Sequence, residues 1–208
     1  MIHHVQNLLR RQPDLSVCQA DVIRAFEMLR DCFRGGGKVL LCGNGGSAAD
    51  AEHWAGELLK GFLHKRALNR NDKRGLPVEL ALKLQAGLPA IPLTGFVSLS
   101  TAFANDVDPQ LVFAQLVWAL GRPGDLLIGI STSGNAGNVC AAMEAAGARG
   151  LVRVGLSGKS GGRLFSNCDL CIRAPANETY LIQEFHLPIY HCLSLMLEDE
   201  FFGETCSH

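Results

Sequence analysis

Five short apolar runs, most of them followed by a turn rich in glycine or serine and then a helical stretch, constrain the fold of this chain. The runs occupy residues 38–42, 90–93, 126–130, 151–156 and 169–173. Strands that alternate with helices in this way form a parallel sheet covered on both faces. The sequence therefore predicts an α/β fold, with ligands bound beyond the carboxyl ends of the strands, where the turns fall.

Helical segments flank this alternating region. Residues 1–34 carry apolar residues at helical spacing on both sides of Pro13–Asp14, which predicts two N-terminal helices. A long C-terminal helix is predicted from Thr179 to Phe202, interrupted by Pro188. Because proline lacks a backbone donor, we expect that helix to bend near this residue.

One segment, residues 64–88, breaks the rhythm of strands and helices. It begins with His64-Lys65-Arg66 and is polar for most of its first half. The pattern predicts a surface insertion that contains a short helix at 77–85. A basic run in such a place is usually a solvated face, and the alternative is that it lines the mouth of an anion site.

Composition narrows the class of protein. A chain of 208 residues with 48% hydrophobic residues can bury a full core, and we expect a single domain over 1–208. The net charge of −1 gives no electrostatic footprint for nucleic acid. No apolar run approaches the roughly 20 residues of a membrane span, and no signal segment is recognisable. Without a span or a signal segment, we expect no membrane partner and a cytoplasmic location. The eight scattered cysteines fit reduced thiols in such a protein.

The first glycine-rich turn has the features of a phosphate-binding site. Asn44, Gly45, Gly46 and Ser47 directly follow the apolar run at 38–42 and precede a helical stretch. A strand, a tight turn and a helix N-terminus therefore follow in order. Such a terminus offers backbone N–H groups and a partial positive charge to an anion.

A second turn carries three consecutive hydroxyl groups, on Ser131, Thr132 and Ser133, just before a helix predicted to begin near Ala136. Hydroxyls and helix-terminal amides together can hold a phosphate. The alternative is an ordinary capped turn, since these residues are favoured at helix starts whatever the function. Because two such turns are expected at the same sheet edge, we favour phosphate binding over this alternative.

His53 and Glu57 lie four residues apart on the helix that follows the first turn, so they share one face. Glu57 is less than three turns from the predicted phosphate site. Taken alone, such a histidine is more often an ordinary helix residue than a ligand. Next to a phosphate turn, however, the pair suits chemistry on a phosphorylated small molecule.

The combined motifs resemble the phosphoheptose isomerase branch of the sugar isomerase (SIS) domain family. They are Gly-Asn-Gly-Gly-Ser with His-x-x-x-Glu, then Ile-Ser-Thr-Ser-Gly-Asn, then Ile-Gln-Glu-Phe-His-Leu-Pro-Ile-Tyr-His. The resemblance covers almost the whole chain. It implies a three-layer, flavodoxin-like, five-stranded parallel sheet, a homo-oligomer that is commonly a tetramer and otherwise a dimer, and active sites at subunit interfaces.

The resemblance also assigns roles to residues. Those matching His53, Glu57, Gln183 and His191 surround the reacting end of the sugar and can hold one zinc ion, with Glu57 as base and His191 as acid. Asp106 matches an aspartate near the sugar. On a straight helix the Cα atoms of Gln183 and His191 would lie about 12 Å apart. A shared ion would therefore need extended side chains, a bend, or ligands from neighbouring subunits.

The function expected from the resemblance is aldose–ketose isomerisation of a phosphorylated sugar, with sedoheptulose 7-phosphate as the leading substrate. A carboxylate base and an imidazole acid suffice for proton transfer through an enediol, and zinc would polarise the carbonyl. Ala136, Lys60 and Tyr180 depart from the family pattern. The alternative function is a non-catalytic SIS protein, either a phosphosugar-binding regulator or a partner-binding oligomer.

Overall fold

The computed structural model describes residues 2–203, which begin with the two predicted helices. α1 (Ile2–Arg11) and α2 (Gln19–Arg34) are connected by a 3₁₀ helix at Pro13–Cys18. Proline is favoured in the first turn of a helix but cannot continue a preceding one, which explains why α1 ends before Pro13. Leu8 of α1 and Leu29 of α2 are fully buried, so both helices pack on the core by their apolar faces.

Five parallel strands form one sheet in the order β2-β1-β3-β4-β5. In chain order they are β1 (Val39–Gly43), β2 (Ala90–Pro92), β3 (Leu126–Ile130), β4 (Val152–Ser157) and β5 (Leu170–Arg173). Every predicted run lies within one residue of its strand at each end. This strand order is the flavodoxin-like one, whose direction of winding reverses between β1 and β3. The predicted fold class is confirmed.

The remaining helices connect the strands or follow the sheet. Within residues 2–203 they are α3 (Gly46–Leu59), α4 (Val78–Lys83), α5 (Val97–Asp106), α6 (Val112–Leu120), α7 (Gly137–Ala148), α8 (Gly162–Asn167) and α9 (Thr179–Phe202). The predicted ends of α9 are confirmed, but the helix continues through Pro188 without interruption. Ile189, Tyr190 and Leu193 beyond the proline are fully buried, and this packing outweighs one lost backbone hydrogen bond.

Alternate residues of β1 face the two helical layers. Val39 and Leu41 belong to the core shared with α1, α2, α3 and α9. Leu40 and Cys42 belong to the core shared with α6, α7 and α8. A strand buried on both faces reads as a continuous apolar run, which is why the strands were recognisable in the sequence.

Residues 64–88 are mostly exposed, as expected for a surface insertion, and α4 has no buried residue. The interpretation of its basic start as a solvated face is wrong for Arg66, which is 2% exposed. Arg66 Nε donates to Glu198 Oε1 of α9 at 2.8 Å. A buried arginine needs such a carboxylate partner, and the partner lies 132 residues away in sequence.

Residues 2–203 contain neither a membrane-spanning helix nor a disulfide bond. No helix in this range is both long and apolar enough to cross a bilayer. The seven cysteines in the range are free thiols, and Cys206 lies outside it.

Candidate active site

The two hydroxyl-bearing turns meet at the carboxyl edge of the sheet. The last residues of β1 and β3, Gly43 and Ile130, are paired in register, so the turns that follow them start side by side. Asn44 and Asn138 then exchange two side-chain hydrogen bonds of 2.8 and 2.9 Å between the turns. This edge is the place where the winding of the sheet reverses, and ligands bind there in open α/β sheets.

A small polar cavity of about 140 Å³ lies between these turns. It is lined by Asn44, Ser47, Ile130, Ser131, Thr132, Ser133 and Ala136. Whole-ligand pockets typically measure about 300–1,000 Å³, so this cavity suits a phosphate group rather than a complete sugar. The structure thus brings together the predicted phosphate-binding residues Ser47, Ser131, Thr132 and Ser133.

Both helices that begin at the cavity start without a side-chain cap. The residues before α3 and α7 are Gly45 and Ala136, and neither makes a side-chain capping bond. Gly45 has a φ of 55°, a conformation that favours glycine, which explains why the turn needs this residue. A helix start without a side-chain cap presents its positive end to an anion.

α3 carries the predicted base, Glu57, and α9 carries the predicted acid, His191. The packing of the two helices brings these residues together although they are 134 residues apart in sequence. His53 Nε2 lies 3.1 Å from Glu57 Oε1, and the His191 ring centroid lies 5.2 Å from that of His53. The Phe62 ring centroid is 5.3 Å from the His191 ring. The cluster therefore combines one carboxylate and two imidazoles beside an apolar ring.

A tyrosine and an aspartate, which sequence reasoning missed, connect to this cluster. The hydroxyl of Tyr190 lies 2.9 Å from His53 Nδ1 and donates to Asp50 Oδ1 at 3.3 Å. Burial raises the pKa of Tyr190, and the charge of Asp50 adds to this, so the hydroxyl stays protonated. Their positions in the sequence could have indicated this contact, because Asp50 precedes His53 by one helical turn and Tyr190 is next to His191.

Gln183 lies at the other end of the contact between α3 and α9. A Cβ atom placed on Gly46 would come within 2.3 Å of Gln183 Nε2, so the amide fits against this glycine. Gly46 and His53 are seven residues apart, about 10 Å along the axis of α3. Gln183 is therefore placed beside the phosphate turn, and its role as a zinc ligand stays a prediction.

Two buried polar atoms of the cluster fit a metal ion. Within residues 2–203, His191 Nε2 and Glu57 Oε2 have no hydrogen-bond partner. Lys60 Nζ is 3.7 Å from Glu57 Oε2, a charge contact rather than a hydrogen bond. Imidazole nitrogen and carboxylate oxygen are ordinary zinc ligands, so the donor set of His53, Glu57 and His191 fits this metal chemically.

Burial sets the charge state of His191. It lowers the pKa of His191, and the neighbouring His53 lowers it further, while Glu57 acts in the opposite direction. A neutral imidazole keeps a lone pair on one nitrogen and an N–H on the other. His191 can therefore bind a metal ion or donate a proton to an oxygen.

Two parts of the chain match a known family. SIS domain models match residues 3–72 and 99–197. A phosphoheptose isomerase from Roseiflexus sp. is 45% identical over 187 residues, which are 89% of this chain and 85% of that protein. The chain belongs to the phosphoheptose isomerase branch of the SIS domain family.

Solved structures of this family share its fold. The phosphoheptose isomerase GmhA from Neisseria gonorrhoeae has a TM-score of 0.76 and 33% identity, and 95% of this chain matches 96% of that one. A phosphoheptose isomerase from Francisella tularensis has a TM-score of 0.74 and 34% identity, with 86% of both chains covered. Both are named as isomerases, which favours the enzyme over the non-catalytic alternative.

Asp106 is the predicted SIS site residue that the structure does not join to the others. It ends α5, where its carboxylate accepts a hydrogen bond from Asn105 Nδ2 at 2.9 Å. Within residues 2–203, no hydrogen bond or ion pair connects it with the turns or the imidazole cluster. Its predicted contact with the sugar stays a prediction.

Proposed function

We propose that this protein interconverts sedoheptulose 7-phosphate and glycero-manno-heptose 7-phosphate. The observation that carries the proposal is that α3 starts at a hydroxyl-lined, phosphate-sized cavity and carries Glu57 further along, where it meets the imidazoles of His53 and His191. The 45% identity to a phosphoheptose isomerase over most of both chains supports the choice of sugar.

The phosphate would bind first and fix the sugar. Ser47, Ser131, Thr132 and Ser133 offer hydroxyl groups, and α3 and α7 direct their positive ends at the same cavity. Asn44, Gly45 and Gly46 shape the first turn, and Gln183 borders it. Anchoring one end of the substrate makes the proton transfer at the other end effectively intramolecular.

Proton transfer would then proceed through an enediol. Glu57 removes the proton from carbon 1 of the ketose, while His191 donates a proton to the carbonyl oxygen at carbon 2. A neutral histidine can act as such an electrophile in an aldose–ketose isomerase. Glu57 returns its proton to carbon 2, and His191 recovers a proton from the hydroxyl at carbon 1, which leaves an aldehyde and restores both side chains.

A zinc ion would be held by His53, Glu57 and His191, with Gln183 as the predicted fourth ligand. When bound, zinc supplies Lewis-acid polarisation of the carbonyl and stabilises the enediolate oxygen. Tyr190 and Asp50 would orient the His53 ring through its Nδ1 atom, as partners behind a metal-binding histidine commonly do.

Self-association and location are further parts of the proposal. Val78 and Leu82 of α4 and Val97 of α5 are 76%, 71% and 68% exposed. Such side chains support a homo-oligomer, a tetramer or a dimer, in which a second copy covers these helices. The free thiols support a cytoplasmic location.

The test is turnover in deuterated water with a panel of sugar phosphates, with zinc and with a chelator. We expect isomerisation of sedoheptulose 7-phosphate and deuterium at carbon 1 or 2. Glu57→Gln should lower the rate by about 10²–10⁴-fold while phosphosugar binding survives. Glu52→Gln, on an exposed position of the same helix, is the matched control and should stay near wild type.

Two results would contradict the proposal. Full activity of Glu57→Gln would eliminate Glu57 as the base. Tight phosphosugar binding without turnover or exchange for any sugar would instead support the regulator.

A further inference from the structure

A second cluster of metal-ligand side chains lies away from the candidate active site. His3 and His4 at the start of α1 face Asp199 near the end of α9. Within residues 2–203, these three form the one group of at least three histidine, cysteine or acidic residues whose ligand atoms all lie within 4.8 Å of one another. His64, just beyond α3, faces the same carboxylate. The chain thus gathers three imidazoles around one aspartate.

The distances in this cluster approach those of a tetrahedral site. The Nε2 atoms of His3, His4 and His64 lie 3.6, 2.7 and 3.9 Å from the oxygens of Asp199. Four ligands held at about 2.0–2.1 Å around zinc are separated from one another by about 3.3 Å. The contacts of His3 and His64 are too long for hydrogen bonds but close to this spacing. His64 is outside the group whose ligand atoms all lie within 4.8 Å of one another, so its side chain would have to rotate inward to complete the tetrahedron.

The surroundings hold His4 and the backbone of His64 in place, while the side chains of His3 and His64 are exposed. Glu198, which is fully buried, accepts the backbone N–H of His64 at 3.1 Å and so fixes the segment that carries this ligand. The His4 side chain is only 12% exposed. His64, Asp199 and Gly203 line a cleft of about 660 Å³ that gives access from solvent. The cluster is anchored at its base and open on one side.

The donor atoms of this cluster match a divalent metal ion. Three nitrogens and one carboxylate are a donor set typical of zinc and related divalent ions.

We propose that His3, His4, His64 and Asp199 form a zinc-binding site, separate from the active site, that ties α1 to the end of α9 and to the segment after α3. The bound ion would be coordinated by four protein ligands, as in structural zinc sites. Its effect would be to stabilise the fold around the N-terminal helix, because an ion that binds only the folded chain favours that state.

The experiment is cobalt and zinc titration of a variant that lacks competing ligands. His53→Gln and His191→Gln remove the proposed active-site metal ligands, and Cys206→Ser and His208→Gln remove two ligand-type residues near the end of the sequence. We expect this background to bind one cobalt ion per chain, with the visible absorption of four-coordinate cobalt and no thiolate charge-transfer band. Zinc should displace the cobalt and raise the Tm.

Adding His4→Gln and His64→Gln to the background should weaken cobalt binding at least tenfold and abolish the Tm increase with zinc. Glu200→Gln is the matched control, because Glu200 is next to Asp199 but pairs with Arg34. It should bind cobalt like the background. The proposal is overturned if the background binds no cobalt, or if binding survives the loss of His4 and His64. Neither result bears on turnover, which is measured in the wild-type protein.

Discussion

The buried ion pair between Arg66 and Glu198 should be the most sensitive polar contact of this fold. Glu198 Oε1 accepts from Phe62 N at 2.7 Å and from Arg66 Nε at 2.8 Å. Its Oε2 accepts from Leu63 N at 2.8 Å and from His64 N at 3.1 Å. Burial would raise the pKa of Glu198, but these donors outweigh it and hold the pKa below its ordinary value.

Glu198→Gln keeps one oxygen and turns the other into a donor, so it loses two of the four hydrogen bonds. At about 1.5–3 kcal/mol for each bond to a charged group, the loss is about 3–6 kcal/mol. Leaving the charge of Arg66 buried without its partner gives a similar cost of about 3–5 kcal/mol. Both arguments place the expected loss of unfolding free energy at about 4 kcal/mol, roughly a quarter to four-fifths of the stability of an ordinary domain.

Urea unfolding at fixed protein concentration measures this loss. Glu144→Gln is the matched control, since Glu144 and Arg163 form an exposed pair at 3.8 Å that should contribute less than about 1 kcal/mol. The double variant Arg66→Met, Glu198→Gln should lose less than the sum of its two single variants, because each single change leaves the other partner buried. A Glu198→Gln protein as stable as Glu144→Gln, or strictly additive losses, would refute the reasoning.

The same change should reach the active site. Arg66 donates to the carbonyl oxygens of Leu58 at 2.8 Å and Glu57 at 3.1 Å, so it caps the last turn of α3. Without the Glu198 carboxylate, Arg66 should hold this cap less firmly, and the Glu57 carboxylate should move relative to His191. We expect kcat of Glu198→Gln to fall even at temperatures where the protein stays folded, since small misplacements of a base are costly.

Two further predictions concern histidines on or against α9. Tyr190→Phe removes the hydroxyl 2.9 Å from His53 Nδ1, and the loss of about 1–1.5 kcal/mol should lower kcat roughly tenfold with KM near wild type; an unchanged kcat would exclude this orienting role. Burial lowers the pKa of His186 to about 4, so between pH 6.5 and 4 the unfolded chain binds a proton that the folded chain does not. Stability should therefore fall on acidification, by on the order of 3 kcal/mol over this range, and His186→Leu should flatten that part of the urea-unfolding pH profile; an equally steep profile would contradict the assignment.

The strands and the two ends of α9 were predictable because their signals are local. A strand buried on both faces is a continuous apolar run, so Leu126–Ile130 was found at its observed bounds. The turns at Gly45 and Ser131 were recognisable because a tight turn and a helix start require particular residues. The uninterrupted α9 was missed, since tertiary packing around Pro188 overrides the local preference.

The sequence by itself therefore determined the α/β class and the two turns predicted to bind phosphate, and its family resemblance supplied the base and acid candidates. Only the tertiary structure decided that other distant residues meet: Tyr190 against His53, Arg66 against Glu198, and His3 and His4 against Asp199. Each of these contacts joins α9 to a segment more than 130 residues away along the chain. No local pattern encodes such a pairing, because it arises when helices with separate apolar faces bury them on the same side of the sheet.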